Sequence, residues 1–184
     1  AANTAMGASA LSANTTASYN TAVGYQAGYS NTTGSQHTAI GRAALYSNTT
    51  GTENTAVGHA ALYYNTTGNY NTAFSSGALV ANTTGSSNVA LGYSALQANT
   101  TASGNTAVGY QAGYSNTTGG YNSFYGQGAG YSNTTGIGNC YVGYAAGYQM
   151  TTGSKNTILG GYNGNTGGLD IRTSSNYIVL SDGD

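Results

Sequence analysis

Proline and tryptophan are absent, cysteine occurs once, and only 4% of the residues are charged. Each shortage excludes something. With one thiol, Cys140, no intrachain disulfide framework exists. Ordinary globular domains are about 25% charged. Here three basic and four acidic residues leave a net charge of −1, which is no electrostatic footprint for nucleic acid. No basic run suits an anionic lipid surface, and no apolar run approaches the roughly 18 residues of a membrane span. The carboxylates do not pair: Glu53 stands alone, and Asp170, Asp182 and Asp184 lie near the C-terminus. Paired-carboxylate hydrolysis therefore has no candidate. His37 and His59 are too isolated to suggest a metal centre or an acid–base pair, and both read as exposed substitutions.

What remains is mostly Asn, Thr, Gly, Ala, Ser and Tyr. Such a composition means disorder or a strict repeat, and periodicity decides between them. Asn stands at 3, 20, 54, 71, 88, 105, 122, 139 and 156, with His37 filling the one missing place. The period is 17 residues, without insertion or deletion, over nine full repeats and the start of a tenth. Counting that Asn as the first column, the consensus is N-T-A-V-G-Y-x-A-L/G-Y-S-N-T-T-G-S-x.

The columns differ in their physics. The fourth is large and apolar throughout: Met6, Val23, Ile40, Val57, Phe74, Leu91, Val108, Tyr125, Val142 and Leu159. It is expected to be the inward-facing core ladder. The third is mostly Ala but becomes Phe124, Tyr141 and Ile158. The fifth is Gly except at Ser75, which points to positive φ or a close backbone approach. The eighth is Ala and the ninth varies between Leu and Gly. Asn-Thr-Thr-Gly/Ala fills columns twelve to fifteen eight times. This is turn chemistry, with left-handed backbone expected at Asn and Gly and the Asn side chain satisfying local backbone groups.

Helical repeats are excluded, because 17 residues do not hold two helices and their turns, and each interior Gly costs a helix about 1 kcal/mol. The expected fold is all-β: a parallel β-solenoid or β-roll of about ten 17-residue coils, with two short strands and two turns per coil. Equivalent residues stack, and ladders of Asn and aromatic side chains stabilise such stacks. One or two large apolar side chains per coil make a thin core against a chain entropy of about 1–2 kcal/mol per residue. The Ala and Gly columns then read as places where another backbone comes close, so side-by-side association is expected, most simply as a parallel homotrimer.

The expected organisation is a repeat array over 1–159 and a glycine-rich transition with a C-terminal strand segment over 160–184, acting as a cap or a junction to a following domain. Leu169-Asp170-Ile171-Arg172 and Tyr177-Ile178-Val179-Leu180 read as strands. Ala1-Ala2-Asn3 and Ser181-Asp182-Gly183-Asp184 read as the ends of a piece of something longer.

No catalytic, cofactor-binding or metal site is expected, and the chain reads as a non-enzyme. Gly126-Gln127-Gly128-Ala129-Gly130 has the look of a phosphate loop but is the repeat itself. Asp182-Gly183-Asp184 lacks further oxygen ligands at calcium-loop spacing. Cys140 fills a small-residue column. Asn14, Asn31, Asn48, Asn65, Asn82, Asn99, Asn116 and Asn133 head formal N-glycosylation sequons, which a turn ladder equally explains. Tyr29, Tyr46, Tyr63, Tyr114, Tyr131 and Tyr148 in the tenth column, with the sixth-column tyrosines, are either sugar platforms or packing against a neighbouring chain. The Thr columns raise ice binding, against which stands their adjacency, since neighbours on a strand face opposite ways.

The N-T-A-V-G-Y-x-A…Y-S-N-T-T-G array resembles those of bacteriophage tail fibres and related surface fibres over nearly the whole chain. There such an array often leads into a strand like Asn176-Tyr177-Ile178-Val179-Leu180-Ser181-Asp182-Gly183, followed by an endosialidase-type intramolecular chaperone removed after trimerisation. The N-T-A-V-G element is also similar to N-S-V-A-I-G in the heads of trimeric autotransporter adhesins. Both resemblances imply a trimer. The expected function is a structural shaft segment of a tail fibre or similar appendage, on a virion or at a cell surface, able to contribute to host or surface attachment. The alternatives are an adhesin head or stalk, a self-assembling filament and an ice-binding solenoid. The expected partners are further copies of the chain, as homotrimer or filament, and a host-surface glycan or protein, with no nucleic acid and no membrane insertion.

Overall fold

The computed structural model describes residues 2–181 and is a parallel β-solenoid. Each coil carries one three-residue strand, at columns two to four: β1 (Thr4–Met6), β2 (Thr21–Val23), β3 (Thr38–Ile40), β4 (Thr55–Val57), β5 (Thr72–Phe74), β6 (Val89–Leu91), β7 (Thr106–Val108), β8 (Ser123–Tyr125) and β9 (Cys140–Val142), continued by β10 (Thr157–Gly160). They pair in parallel and strictly in register, Thr21 on Thr38, Ala22 on Ala39, Val23 on Ile40. At the usual strand spacing of about 4.8 Å, ten coils make a rod roughly 50 Å long.

The expected second strand of each coil is replaced by turns. Ala27 N–H donates to Gly24 C=O (3.3 Å) and Asn31 N–H to Gly28 C=O (3.1 Å), closing two consecutive turns over columns five to twelve. These turns also bond from coil to coil: Gly28 N–H donates to Ala44 C=O and Ser30 N–H to Tyr46 C=O, both at 2.9 Å. Every wall of the coil therefore has its own backbone ladder, though only one has extended geometry. Left-handed backbone falls in columns seven, nine and seventeen, not in Asn-Thr-Thr-Gly. Leu45 (φ 53°), Leu62 (52°), Leu79 (51°) and Leu96 (50°) all adopt it. That conformation costs an L-residue about 1–2 kcal/mol, so these leucines are held there by what they fill. The fifth-column glycines do take positive φ, such as Gly24 at 131°, and a Cβ there would meet the Gly41 carbonyl at 2.6 Å.

The inward and outward faces are the reverse of the expected ones. On a strand, alternate residues face opposite ways. The third column is inside: Ala22, Ala56, Ala73, Ala90, Ala107, Phe124, Tyr141 and Ile158 are fully buried. The fourth column, expected to be the core ladder, is outside. Ile40, Phe74, Leu91, Tyr125, Val142 and Leu159 are exposed, Phe74 by half, while Val23, Val57 and Val108 are half-buried. Side-chain size does not decide the face here. The 17-residue coil is narrow, and its lumen holds methyl groups from columns three and eight plus at most one larger side chain per level from columns three and nine. The Ala columns thus line the chain's own interior and are not surfaces for a second backbone.

Columns three and nine share that one larger side chain. Through much of the array Ala faces Leu, as with Ala56 and Leu62, both fully buried. Where column three turns aromatic, column nine turns to Gly. A Cβ on Gly130 would meet the Phe124 ring at 2.5 Å, and one on Gly147 the Tyr141 ring at 2.6 Å.

At the C-terminal end the coil widens. β13 (Ile178–Ser181) adds to β10 in parallel, with Thr157 on Ile178, a step of 21 residues in sequence. The extra length forms a small antiparallel pair, β11 (Asn165–Thr166) and β12 (Leu169–Asp170). Met150, Tyr162 and Ile171 are buried and close the core there. Asp182, Gly183 and Asp184 lie outside the described residues.

Candidate binding surfaces

Two ladders of carboxamides run inside the coil. In the first column, Asn54 Nδ2 donates to Gly68 C=O (2.8 Å) and its Oδ1 accepts the Asn71 backbone N–H (2.9 Å). In the twelfth, Asn65 Nδ2 donates to the same Gly68 C=O (3.0 Å) and to Asn48 Oδ1 (2.8 Å), while its Oδ1 accepts from Asn82 Nδ2 (2.8 Å). A typical coil thus turns one carbonyl inward and satisfies it with two amides. A buried carboxamide is stable only with its partners in place, and along both ladders they are, save at Asn133 Oδ1 where the twelfth-column ladder ends.

This removes the glycosylation reading. Asn31, Asn48, Asn65, Asn82, Asn99, Asn116 and Asn133 are fully buried, and Asn14 is half-buried with its Nδ2 on Ala17 C=O (3.3 Å). A glycosylated Nδ2 has no room in the lumen and gives up a donor. The ladder ends where Met150 takes the Asn position, which leaves Asn133 Oδ1 without a partner.

His37 is buried, 3% exposed, and not the surface substitution expected. It imitates the Asn it replaces. Its Nδ1 accepts the Asn54 N–H (3.2 Å), as an Asn Oδ1 would, and its Nε2 lies against the Gly51 carbonyl and 3.1 Å from Asn48 Nδ2. Only the neutral Nε2–H tautomer fits that role. Burial drives the imidazole pKa down from 6.5 to about 4, against the smaller opposing effect of its bond to the Gly51 carbonyl. His59 is exposed and sits 2.9 Å from Arg42 Nη1.

Tyr141 stacks on Phe124 at 5.4 Å in the aromatic part of the core, but its hydroxyl is buried beside Asn156 without making a hydrogen bond. Burial pushes that phenol well above its usual range. A Tyr141→Phe chain is expected to gain about 1 kcal/mol, since an unpaired buried hydroxyl costs roughly 1–3. The check is a higher denaturant midpoint at unchanged slope.

The tenth-column tyrosines stack on one another. Tyr29–Tyr46 and Tyr46–Tyr63 have ring centroids 5.1 and 4.9 Å apart, nearly parallel, and Tyr114–Tyr131–Tyr148 repeat this at 5.0 and 4.7 Å. The faces of the middle rings are used within the chain, so Tyr46 and Tyr131 are closed as flat platforms. Their hydroxyls are raised above the usual phenol range, first by desolvation and then by the neighbouring phenols.

The outward fourth column forms an apolar stripe along the whole rod, from Met6 (64% exposed) to Leu180 (73%). Cys140 is half-buried on the same outward face, in the second column. Glu53 is exposed, and Asp170 is paired with Arg172 through bonds of 2.9 and 2.7 Å. Among the described residues no three His, Cys, Asp or Glu side chains gather into a metal-binding group, and no helix is long and apolar enough to cross a membrane. No protein-family model matches the chain, and no curated protein or solved structure is significantly similar to it.

Proposed function

We propose that the chain is a shaft segment of an extracellular or virion-borne fibre, a stiff spacer that associates side by side with copies of itself, as a homotrimer, and has no catalytic role. The observation that carries this reading is the exposed apolar stripe. Side chains such as Ile40, Phe74, Leu91 and Leu159 stand in line on an in-register sheet, and a contiguous apolar surface of this kind marks a contact site. This stripe supports association where the Ala columns and the ninth-column Gly do not, because those line the lumen. The repeat's likeness to tail-fibre arrays supplies the number three and the setting.

The ice-binding alternative loses support for a geometric reason. The thirteenth-column hydroxyls are spent on backbone: Thr32 Oγ1 donates to Thr49 C=O at 2.9 Å and Thr66 Oγ1 to Thr83 C=O at 3.1 Å. The exposed Thr of the fourteenth column form one file and not a two-dimensional array.

Sedimentation at micromolar concentration is expected to give a mass near three chains. Phe74→Thr with Leu91→Thr, a change to a strand-compatible polar surface, is expected to shift it toward one chain with the circular dichroism unchanged. A single-chain mass for the unaltered protein overturns self-association, a mass near two replaces the trimer with a dimer, and an open-ended mass rising with concentration favours the filament.

A further inference from the structure

The sixth column runs Tyr93, Tyr110, Gln127, Tyr144. Tyr93 and Tyr110 stack at 5.6 Å, but Gln127 interrupts the file before Tyr144. Tyr110 and Tyr144 therefore stand two rungs apart, about 9.6 Å at the strand spacing. Beside this gap the seventh column has Gly128, without a side chain. The result is an open cleft of about 280 Å³, bounded by Tyr110, Gln111, Gln127, Gly128, Tyr144 and Tyr148. Tyr110 is half-exposed and Tyr144 is 72% exposed, so their rings are open to solvent, unlike the closed stacks of the tenth column.

The array contains its own control. Asn105–Gly119 repeats Asn20–Gly34 residue for residue, so Tyr25 and Gln26 reproduce Tyr110 and Gln111. The coils that follow differ. There Arg42 and Ala43 stand where Gln127 and Gly128 do, and His59 stands in place of Tyr144, with Arg42 Nη1 2.9 Å from His59 Nε2. The two regions thus differ at three positions clustered in space, Gln127 being the one that departs from the consensus tyrosine of the sixth column.

We propose that this cleft binds a neutral pyranose, seated between the Tyr110 and Tyr144 rings with its hydroxyls on the Gln111 and Gln127 carboxamides. Aromatic faces suit the C–H face of a sugar ring, and carboxamides both donate and accept. A gap of two rungs is too wide for a flat nucleobase, which needs about one stacking distance on each side, but takes the thicker, puckered sugar ring. No cationic side chain lines the cleft to hold a phosphate or a carboxylate, so the ligand is uncharged. The sugar site does not depend on self-association, and a chain that proves monomeric keeps it.

The test is saturation-transfer NMR on the full chain with methyl glycosides of neutral hexoses and N-acetylhexosamines, sialic acid being the charged comparison. Transfer is expected to concentrate on one face of a neutral sugar, with weak, roughly millimolar affinity. Tyr144→Ser and Gln127→Arg are expected to lower that affinity at least tenfold. Both changes have precedents in the column, Ser76 and Arg42, so the coil accepts them. Tyr29→Ser, matching Ser12 in the tenth column, is expected to change nothing. The proposal is overturned if no neutral sugar receives saturation, if sialic acid binds better, or if Tyr144→Ser and Gln127→Arg bind as the unaltered chain does.

Discussion

Lowering the pH from 7 to 4.5 is expected to cost the fold about 2–3 kcal/mol, and His37→Asn is expected to remove nearly all of that loss. The imidazole has a pKa of about 4 when folded and 6.5 when unfolded. As the pH falls the unfolded chain takes up the proton first, so stability is full above 6.5, declines through the window from 6.5 to about 4, and levels off below it. At 1.36 kcal/mol per pH unit the whole window is worth about 3 kcal/mol. The physical cause is the double duty of the ring. A proton on Nδ1 takes away the acceptor of the Asn54 N–H and leaves a charge inside the coil. Asn restores the carboxamide of every neighbouring coil and does not titrate. Asp170, held below the usual carboxylate range by its bonds from Arg172, loses its contribution at lower pH and does not confuse the window. Guanidinium midpoints of both chains at pH 7 and 4.5 measure the effect. A flat profile for the unaltered chain, or an equal loss in His37→Asn, contradicts a buried neutral imidazole.

Phe124→Ala and Gly130→Leu are each expected to be severely destabilising alone and to rescue one another together. Phe124 is fully buried, and its removal leaves a cavity worth about 3–5 kcal/mol. Leucine at 130 is driven into the Phe124 ring, because even a Cβ there would lie 2.5 Å from it, and the left-handed backbone at φ 63° adds about 1 kcal/mol more. The double variant rebuilds the Ala–Leu level that Ala56 and Leu62 already make four coils earlier. Its stability should return to within about 1–2 kcal/mol of the parent, a coupling well above what independent sites show. Additive losses in the double variant would mean that columns three and nine do not share one space.

The coil length, the parallel stacking and the exact register were legible, because an unbroken 17-residue period allows each residue only one neighbour above and below. The fifth-column Gly was legible too, as a position of positive φ. The interior was not. Phe74 and Leu91 were expected inside because they are the large residues, yet a strand in which Thr-Ala-Val alternates offers two assignments of face, and size favoured the wrong one. A signal was present: wherever the third column enlarges, at Phe124 and Tyr141, the ninth shrinks, at Gly130 and Gly147, as two walls of one lumen must. His37 was misread for a related reason. Its place in the Asn column marks it as a stand-in for a carboxamide, but nothing in the sequence says that this column faces the lumen.

By itself, then, the sequence determined the period, the solenoid class and the ladders of identical side chains, because these follow from repetition and need no knowledge of the coil's cross-section. Tertiary structure alone decided which face is lumen. A coil this narrow admits Ala, one Leu or one ring per level, and two carboxamides that must find partners, so the bulky fourth column is left facing outward. The same geometry closes the tenth-column tyrosines on one another and opens the sixth column at Gln127 and Gly128, where residues 17 and 34 apart in sequence are brought to one cleft.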